Sequence, residues 1–189
     1  MRLISGCAAN VELETPGDFA VRPTLGRSRK ALFDHLGDMR GARVLDLFSG
    51  SGALGLEAAS RGAAYLVSVE KNANCAKMIS RNTEKVRRTG CAAQTELFVR
   101  DALDAGNFLP ENGAFDFVFA DPPYAESAAY CRKLFSDAAF KKKIRGAKVI
   151  WEIPDSPGAV GEFLLLELPG DGAFRKFGVT TFYLGVWEK

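Results

Sequence analysis

Two short stretches carry residues whose types and spacing could do chemistry. The first is Asp46-Leu47-Phe48-Ser49-Gly50-Ser51-Gly52-Ala53-Leu54-Gly55. Glycines let the backbone turn sharply and come within contact distance of a ligand. The string G-x-G-x-x-G fits a pyrophosphate at a helix N-terminus about as well as it fits other nucleoside ligands. Asp46 separates these readings, because a carboxylate just ahead of the turn repels a diphosphate and suits a cationic ligand with an amino group. The plain alternative is an aspartate that caps a structural turn. The second stretch is Asp121-Pro122-Pro123-Tyr124, directly after the apolar run Phe117-Val118-Phe119. Two prolines hold the loop extended and remove two N–H donors. That leaves the Asp121 carboxylate and the Pro122 carbonyl as acceptors beside an aromatic ring. Two acceptors can hold both hydrogens of a nucleobase NH₂ and help free its lone pair. The ring can stack on the base, a contact worth roughly 1–3 kcal/mol. The base must then be unpaired or extruded from its stack.

The elements that position these groups read as an α/β chain. Arg43 to Gly62 is strand, tight turn and helix, with Gly62 as a C-cap. Ala64 to Glu70 is a second buried strand, and Glu70 stands where a carboxylate accepts from both ribose hydroxyls of a nucleoside, NAD or otherwise. A helix is expected from Ala73 to about Arg88, and a third strand over Thr95 to Asp101. Asp101 ends that strand with an acid that can cap the segment that follows. A loop is expected over residues 106–114, one helix from Ser127 to Phe140, and a strand from Lys148. Leu164 to Leu168 and Thr180 to Glu188 read as two closing antiparallel strands, with an intervening basic strand edge at Arg175 and Lys176. Residues 1–21 read as a small strand-turn-strand extension, with residues 22–189 as the main domain. Arg22, Arg27, Arg29 and Lys30 gather just before a helix that stops at Gly37. They make either a solvated helix start or a phosphate-binding edge, since Arg and Lys fix a nucleic-acid backbone without reading its sequence. His35, the only histidine, reads as structural.

With 189 residues, 47% of them hydrophobic, one domain with a sizeable core is expected. A net charge of +2 means that any nucleic-acid binding must come from local patches. The four cysteines (Cys7, Cys75, Cys91, Cys131) are scattered with no C-x-x-C spacing, so neither a zinc site nor a disulfide framework is expected and a reducing cytosol fits. No signal peptide or membrane-spanning run is read, and no metal is implied.

Taken together, these motifs resemble a bacterial family, the 16S rRNA guanine-N2 methyltransferases that modify guanine 966. Arg2-Leu3-Ile4-Ser5-Gly6 matches its R-x-I-x-G strand, and Arg22, Pro23, Thr24, Arg27 and Arg29 match R-P-T-x-x-R-x-R. Asp46 through Glu57 match its glycine turn, D-L-F-x-G-S-G-x-L-G-x-E. Val69-Glu70 and Asp121 to Tyr124 follow in order. The chain departs from the pattern at Cys7-Ala8-Ala9-Asn10, where the family is basic, and at Gly26 and Lys30. The resemblance implies a Rossmann-like class I fold, with a seven-stranded, mostly parallel sheet and helices on both faces. It implies S-adenosylmethionine (SAM) as cofactor, a ligand with both an amine and a sulfonium. Asp46, Phe48, Gly50, Gly52, Glu70 and Asp101 would hold SAM, and Asp121, Pro122 and Tyr124 would serve the transfer. Arg22, Thr24, Arg27, Arg29 and Pro123 would meet the RNA. The partner would be 16S rRNA or the assembling small subunit, met by a cytoplasmic monomer with no membrane contact.

Three other readings use the same residues. An adenine-N6 methyltransferase shares the Asp-Pro-Pro-Tyr turn, but roughly 65 residues after it leave little room for a DNA-recognition domain. A non-catalytic nucleoside-binding module does not need that turn. An NAD oxidoreductase is opposed by Asp46.

Overall fold

The computed structural model describes residues 1–16, 23–110, 114–168 and 170–187, with the backbone alone at 23–25. Its seven strands are β1 (Arg43–Leu47), β2 (Tyr65–Val69), β3 (Gln94–Phe98), β4 (Phe117–Ala120), β5 (Lys148–Ile153), β6 (Ala173–Phe177) and β7 (Thr180–Val186). They form one sheet in the order β3-β2-β1-β4-β5-β7-β6. The first five are parallel, and β7 and β6 close the sheet antiparallel. Every residue of β2 is buried, as expected of a parallel strand covered on both faces.

The helices are α1 (Pro23–Leu36), α2 (Ala53–Ser60), α3 (Ala73–Arg87), α4 (Ala105–Phe108), α5 (Ser127–Ser136), α6 (Ala138–Lys143) and α7 (Ala159–Leu164). On one face of the sheet, Val44, Leu66, Phe119, Ile150 and Phe182 pack with Leu32 and Phe33 of α1 and Leu56 of α2. On the other, Leu45, Val67, Val118, Val149 and Trp151 pack with Leu134 of α5, Phe140 of α6 and Phe163 of α7. The first helix meets the last strands: the His35 and Phe177 rings lie 5.4 Å apart. A Cβ on Gly178, between β6 and β7, would come within 2.8 Å of Ser28 Oγ.

Residues 1–16 make a bridged pair, Arg2 opposite Glu12, with Leu3 N–H donating to the Val11 carbonyl at 3.0 Å. Leu3, Ala8 and Leu13 are buried in the same core as Leu56. The expected division between residues 21 and 22 lies outside the described residues, as does most of the turn expected at Pro16-Gly17-Asp18.

The structure corrects several expectations. Pro23 starts α1, so Arg27, Arg29 and Lys30 lie on the helix rather than ahead of it; a proline is well tolerated at a first helical position. The helix expected from Ser127 to Phe140 breaks at Asp137, whose carboxylate accepts the Ala139 N–H at 2.8 Å and starts α6. The loop expected over 106–114 opens with part of α4. The leucine run from Leu164 is no strand: α7 buries Ala159 and Phe163 at helical spacing and leaves Leu165 86% exposed. The closing strand is Ala173–Phe177 instead. Finally, Cys7 and Cys91 form a disulfide across 84 positions, which sequence spacing gave no reason to expect. It ties the N-terminal pair to the segment between α3 and β3.

Candidate active site at the carboxyl edge

β1 lies between β2 and β4, so chain order reverses there. Open α/β sheets bind their ligands in the crevice at such a switch point, outside the carboxyl ends of the strands. Each parallel strand brings an acid to that edge: Asp46, Glu70, Asp101, Asp121 and Glu152.

The glycine turn is held by its neighbours. Ser49 donates its N–H to the Val69 carbonyl at 3.0 Å. The Ser49 hydroxyl donates to the Asp46 carbonyl at 2.6 Å and accepts the Val69 N–H at 3.1 Å. Glu70 accepts the Gly50 N–H at 2.9 Å and the Asn72 N–H at 2.7 Å, bracing the turn against the end of β2. Gly50 and Gly52 have φ of 57° and 79°. A Cβ on Gly50 would meet nothing nearer than the Phe48 carbonyl at 3.9 Å, so the outer surface of the turn is open to a ligand.

Gly55 is constrained from the other side. A Cβ there would lie 2.7 Å from Leu66 Cδ1 and 2.9 Å from Asp46 Oδ2. That close approach lets the Gly55 N–H donate to Asp46 Oδ2 at 3.1 Å. Asp46 is 2% exposed. Burial disfavours its charge, Asp121 and Glu70 add smaller pushes, and the Gly55 hydrogen bond only partly offsets them; its pKa is lifted to about 7. Phe48 has a left-handed φ of 57°, uncommon for a bulky residue. Its ring stacks on Tyr130 at 5.6 Å and meets Trp151 edge-on at 6.2 Å, contacts that hold the strained backbone in place. Asp101 accepts the Leu103 N–H at 3.0 Å, which is its capping role, and lies 3.5 Å from Lys71 Nζ.

β4 delivers the second motif. Ala120 pairs with Leu47 on one side and Trp151 on the other. Asp121, the next residue, therefore stands between Phe48 and Glu152. Pro122 is buried, Pro123 is exposed and Tyr124 is 52% exposed. The Tyr124 hydroxyl donates to Glu152 Oε1 at 3.0 Å. Asp121 keeps solvent contact through the open crevice, yet the protein crowded around its carboxylate raises its pKa. Glu152 is raised by its own burial and by the nearby Asp121. Glu152 is not among the site residues expected from the sequence; its signal is the one acid interrupting the apolar run of β5.

The N-terminal basic residues separate. Arg22 lies outside the described residues, as does the side chain of Thr24, while Arg27 is exposed on α1. Arg29, expected to meet RNA, is instead 7% exposed. It donates to the Arg2 carbonyl, and its Nε lies 3.9 Å from Glu57 Oε2. It is a core cation balancing a buried acid, out of reach of a phosphate. Of the basic residues further along the chain, Arg81 and Lys85 pair with Glu14, Arg87 and Arg88 pair with Glu84, and Lys143 is buried against the Leu109 carbonyl.

A sheet of this order, with a glycine turn after β1 and an Asp-Pro-Pro-Tyr loop after the adjacent β4, defines a Rossmann-like class I methyltransferase. The family described as "Conserved hypothetical protein 95" matches residues 1–160, and the chain belongs to it. The Bacillus subtilis protein named "Putative rRNA methyltransferase YlbH" is 32% identical over 67% of this chain and 68% of its own. "Ribosomal RNA small subunit methyltransferase D" of Escherichia coli is 33% identical over 66% of this chain, and the match spans 60% of that protein's length. The solved Escherichia coli structure described as "Putative methyltransferase yhhF" overlays with a TM-score of 0.76, covering 100% of this chain and 98% of that one at 23% identity, which speaks to the fold. Among the described residues, no helix is long and apolar enough to cross a membrane.

Proposed function

We propose that this chain transfers the methyl group of SAM to N2 of a guanine in 16S rRNA, acting as a cytoplasmic monomer on the small ribosomal subunit or its RNA. The protein is a SAM-dependent methyltransferase of RNA; the base, the nucleotide and the form of the substrate are the finer part of the reading. The observation that carries it is the pairing of Leu47 with Ala120, which sets the glycine turn and the Asp121 loop side by side across one crevice.

The residues present fit the cofactor. The turn at Gly50 is open above its backbone, the Asp46 carboxylate complements a cation, and Glu70 is fixed by two N–H donors where ribose hydroxyls are met. Asp101 stands where an adenine amine would reach it. When bound, SAM supplies an electrophilic methyl group on a sulfonium. Asp121 and the Pro122 carbonyl then hold the two hydrogens of the base amine, so the nitrogen lone pair points along the transfer line. Alignment of this kind can be worth ~7–11 kcal/mol. Tyr124 stacks on the base. The amine becomes acidic only as it is alkylated, and Asp121, its pKa raised toward neutrality, is suited to take that proton. Arg27 contributes phosphate contact from α1.

The test is methyl transfer from labelled SAM to small-subunit RNA and particles lacking guanine-966 methylation, with Asp121→Ala as control. Label in N2-methylguanine, lost in the variant, supports the reading. Label on adenine N6 keeps the chemistry and overturns the base. No label on any RNA overturns it altogether.

A further inference from the structure

Glu152 belongs to the crevice yet has no part in the transfer as described above. It follows Trp151 as Asp121 follows Ala120, and Trp151 pairs with Ala120 in parallel register. The two carboxylates therefore leave the sheet as neighbours at one edge. The strand end that carries Glu152 is well fixed, because the Trp151 indole N–H donates to Ser127 Oγ at 3.0 Å. The Tyr124 hydroxyl occupies Glu152 Oε1, and among the described residues no hydrogen bond is made to Oε2. No lysine or arginine among the described residues pairs with either acid at ion-pair distance. The crevice thus offers neighbouring acceptors with no lysine or arginine among the described residues paired to them.

Nucleobases differ in what they show such a pocket. Guanine presents two adjacent donors, N1–H and the N2 amine. Adenine presents one amine beside N1, which is an acceptor. A carboxylate facing adenine N1 sets two acceptors against each other, and a site built to receive a hydrogen bond rejects a ligand that cannot make it.

Resting on the guanine-N2 reading above, we propose that Glu152 is the residue that selects guanine: it accepts the N1–H while Asp121 and the Pro122 carbonyl hold the N2 amine. Glu152 also fixes the Tyr124 ring through its other oxygen, so one side chain sets both the identity and the plane of the base. Withdrawing the N1 hydrogen toward a carboxylate pushes electron density into the N1–C2–N2 unit, which favours attack by N2.

The experiment uses the full chain, labelled SAM and small-subunit particles lacking the guanine methylation, with wild type, Glu152→Gln and Tyr124→Phe. Rate, KM for particles, SAM affinity and the methylated nucleoside are read for each. Loss of a charged hydrogen bond predicts that Glu152→Gln lowers kcat/KM roughly 10- to 100-fold with SAM affinity unchanged. Tyr124→Phe keeps the ring and loses only the hydroxyl, so its loss is expected to be several-fold smaller. A Glu152→Gln enzyme at the wild-type rate overturns the proposal, as does a Tyr124→Phe loss as large as that of Glu152→Gln, which would make Glu152 only a support for the tyrosine. If Glu152→Gln unfolds or loses SAM binding, Glu152→Asp keeps the charge with a shorter reach, and full activity there overturns the proposal. A wild-type enzyme that makes no N2-methylguanine sinks the functional reading itself, a separate and recognisable result.

Discussion

The carboxylate of Glu57, fully buried in α2, accepts the backbone N–H of Ile4 at 2.8 Å, across 53 positions of chain. It also accepts the Ser5 N–H at 3.2 Å and the Arg61 Nε–H at 2.8 Å, and it faces Arg29. The helix that follows the glycine turn is thereby fastened to the N-terminal pair and to α1. Three sequence features that read as separate motifs, the R-x-I-x-G start, the second arginine of the R-x-R and the glutamate after the glycine turn, converge on one buried acid.

Glu57→Ala leaves the buried Arg29 without its acid and takes from Arg61 one of two carboxylate partners, Asp34 remaining. Breaking a buried ion pair from one side costs about 3–5 kcal/mol, and urea unfolding should show a loss of that size. Arg27→Ala, on the exposed side of α1, should leave the unfolding midpoint within about 0.5 kcal/mol of wild type while weakening RNA binding.

Gly55→Ala forces a Cβ against Leu66 and the Asp46 carboxylate at once. Overpacking of this kind costs roughly 1–3 kcal/mol, and here it also displaces Asp46, the acid proposed to face the cofactor. Calorimetry should find SAM binding weakened at least as much as stability. Stability lost with SAM affinity intact would show that Asp46 does not meet the ligand.

Asp46 gives a pH signature. Its folded pKa of about 7 lies above the unfolded value near 3.8, so the folded state holds the extra proton between them. Its contribution is therefore most favourable below pH 4 and is lost as pH rises through about 7. Wild type should lose stability relative to Asp46→Asn over that window, by an order of 3–4 kcal/mol at most. SAM, being cationic, favours the ionised acid. Its affinity should rise from pH 6 to pH 8, with proton release on binding measurable by calorimetry in buffers of different ionisation enthalpy.

The Cys7–Cys91 bond closes a long loop, and bonds of that kind stabilise by roughly 2–4 kcal/mol. Thermal unfolding of the oxidised protein should shift downward on adding a reductant, and Cys7→Ser should abolish that shift. No difference between oxidised and reduced protein would mean that the loop entropy is offset elsewhere.

Most of the parallel sheet and both chemical motifs were legible because each is local. Val44 to Leu47 is a short apolar strand with its glycine turn attached, and the Asp121 loop directly follows its own strand. What the sequence concealed is long-range. Arg29 looks like any surface arginine until Glu57 is brought beneath it, and Glu152 looks like a strand residue until Tyr124 reaches back across 28 positions to it. The cysteine pair shows no spacing signal at a separation of 84. The leucines from Leu164 misled by composition: their apolar character suggested a strand, while the spacing of Ala159 and Phe163 was already helical.

The meeting of α1 with the β6–β7 turn has a consequence for how this molecule is made. Synthesis adds residues from one end at about 5–20 per second, so roughly 8–30 s separate the emergence of Ser28 from that of Gly178. Throughout that interval Leu32 and Phe33 can gather β1 and α2 but lack the cover that Phe182 brings. The nascent protein is thus left with an unfinished apolar flank on its way out of the ribosome, and only the last strands seal it.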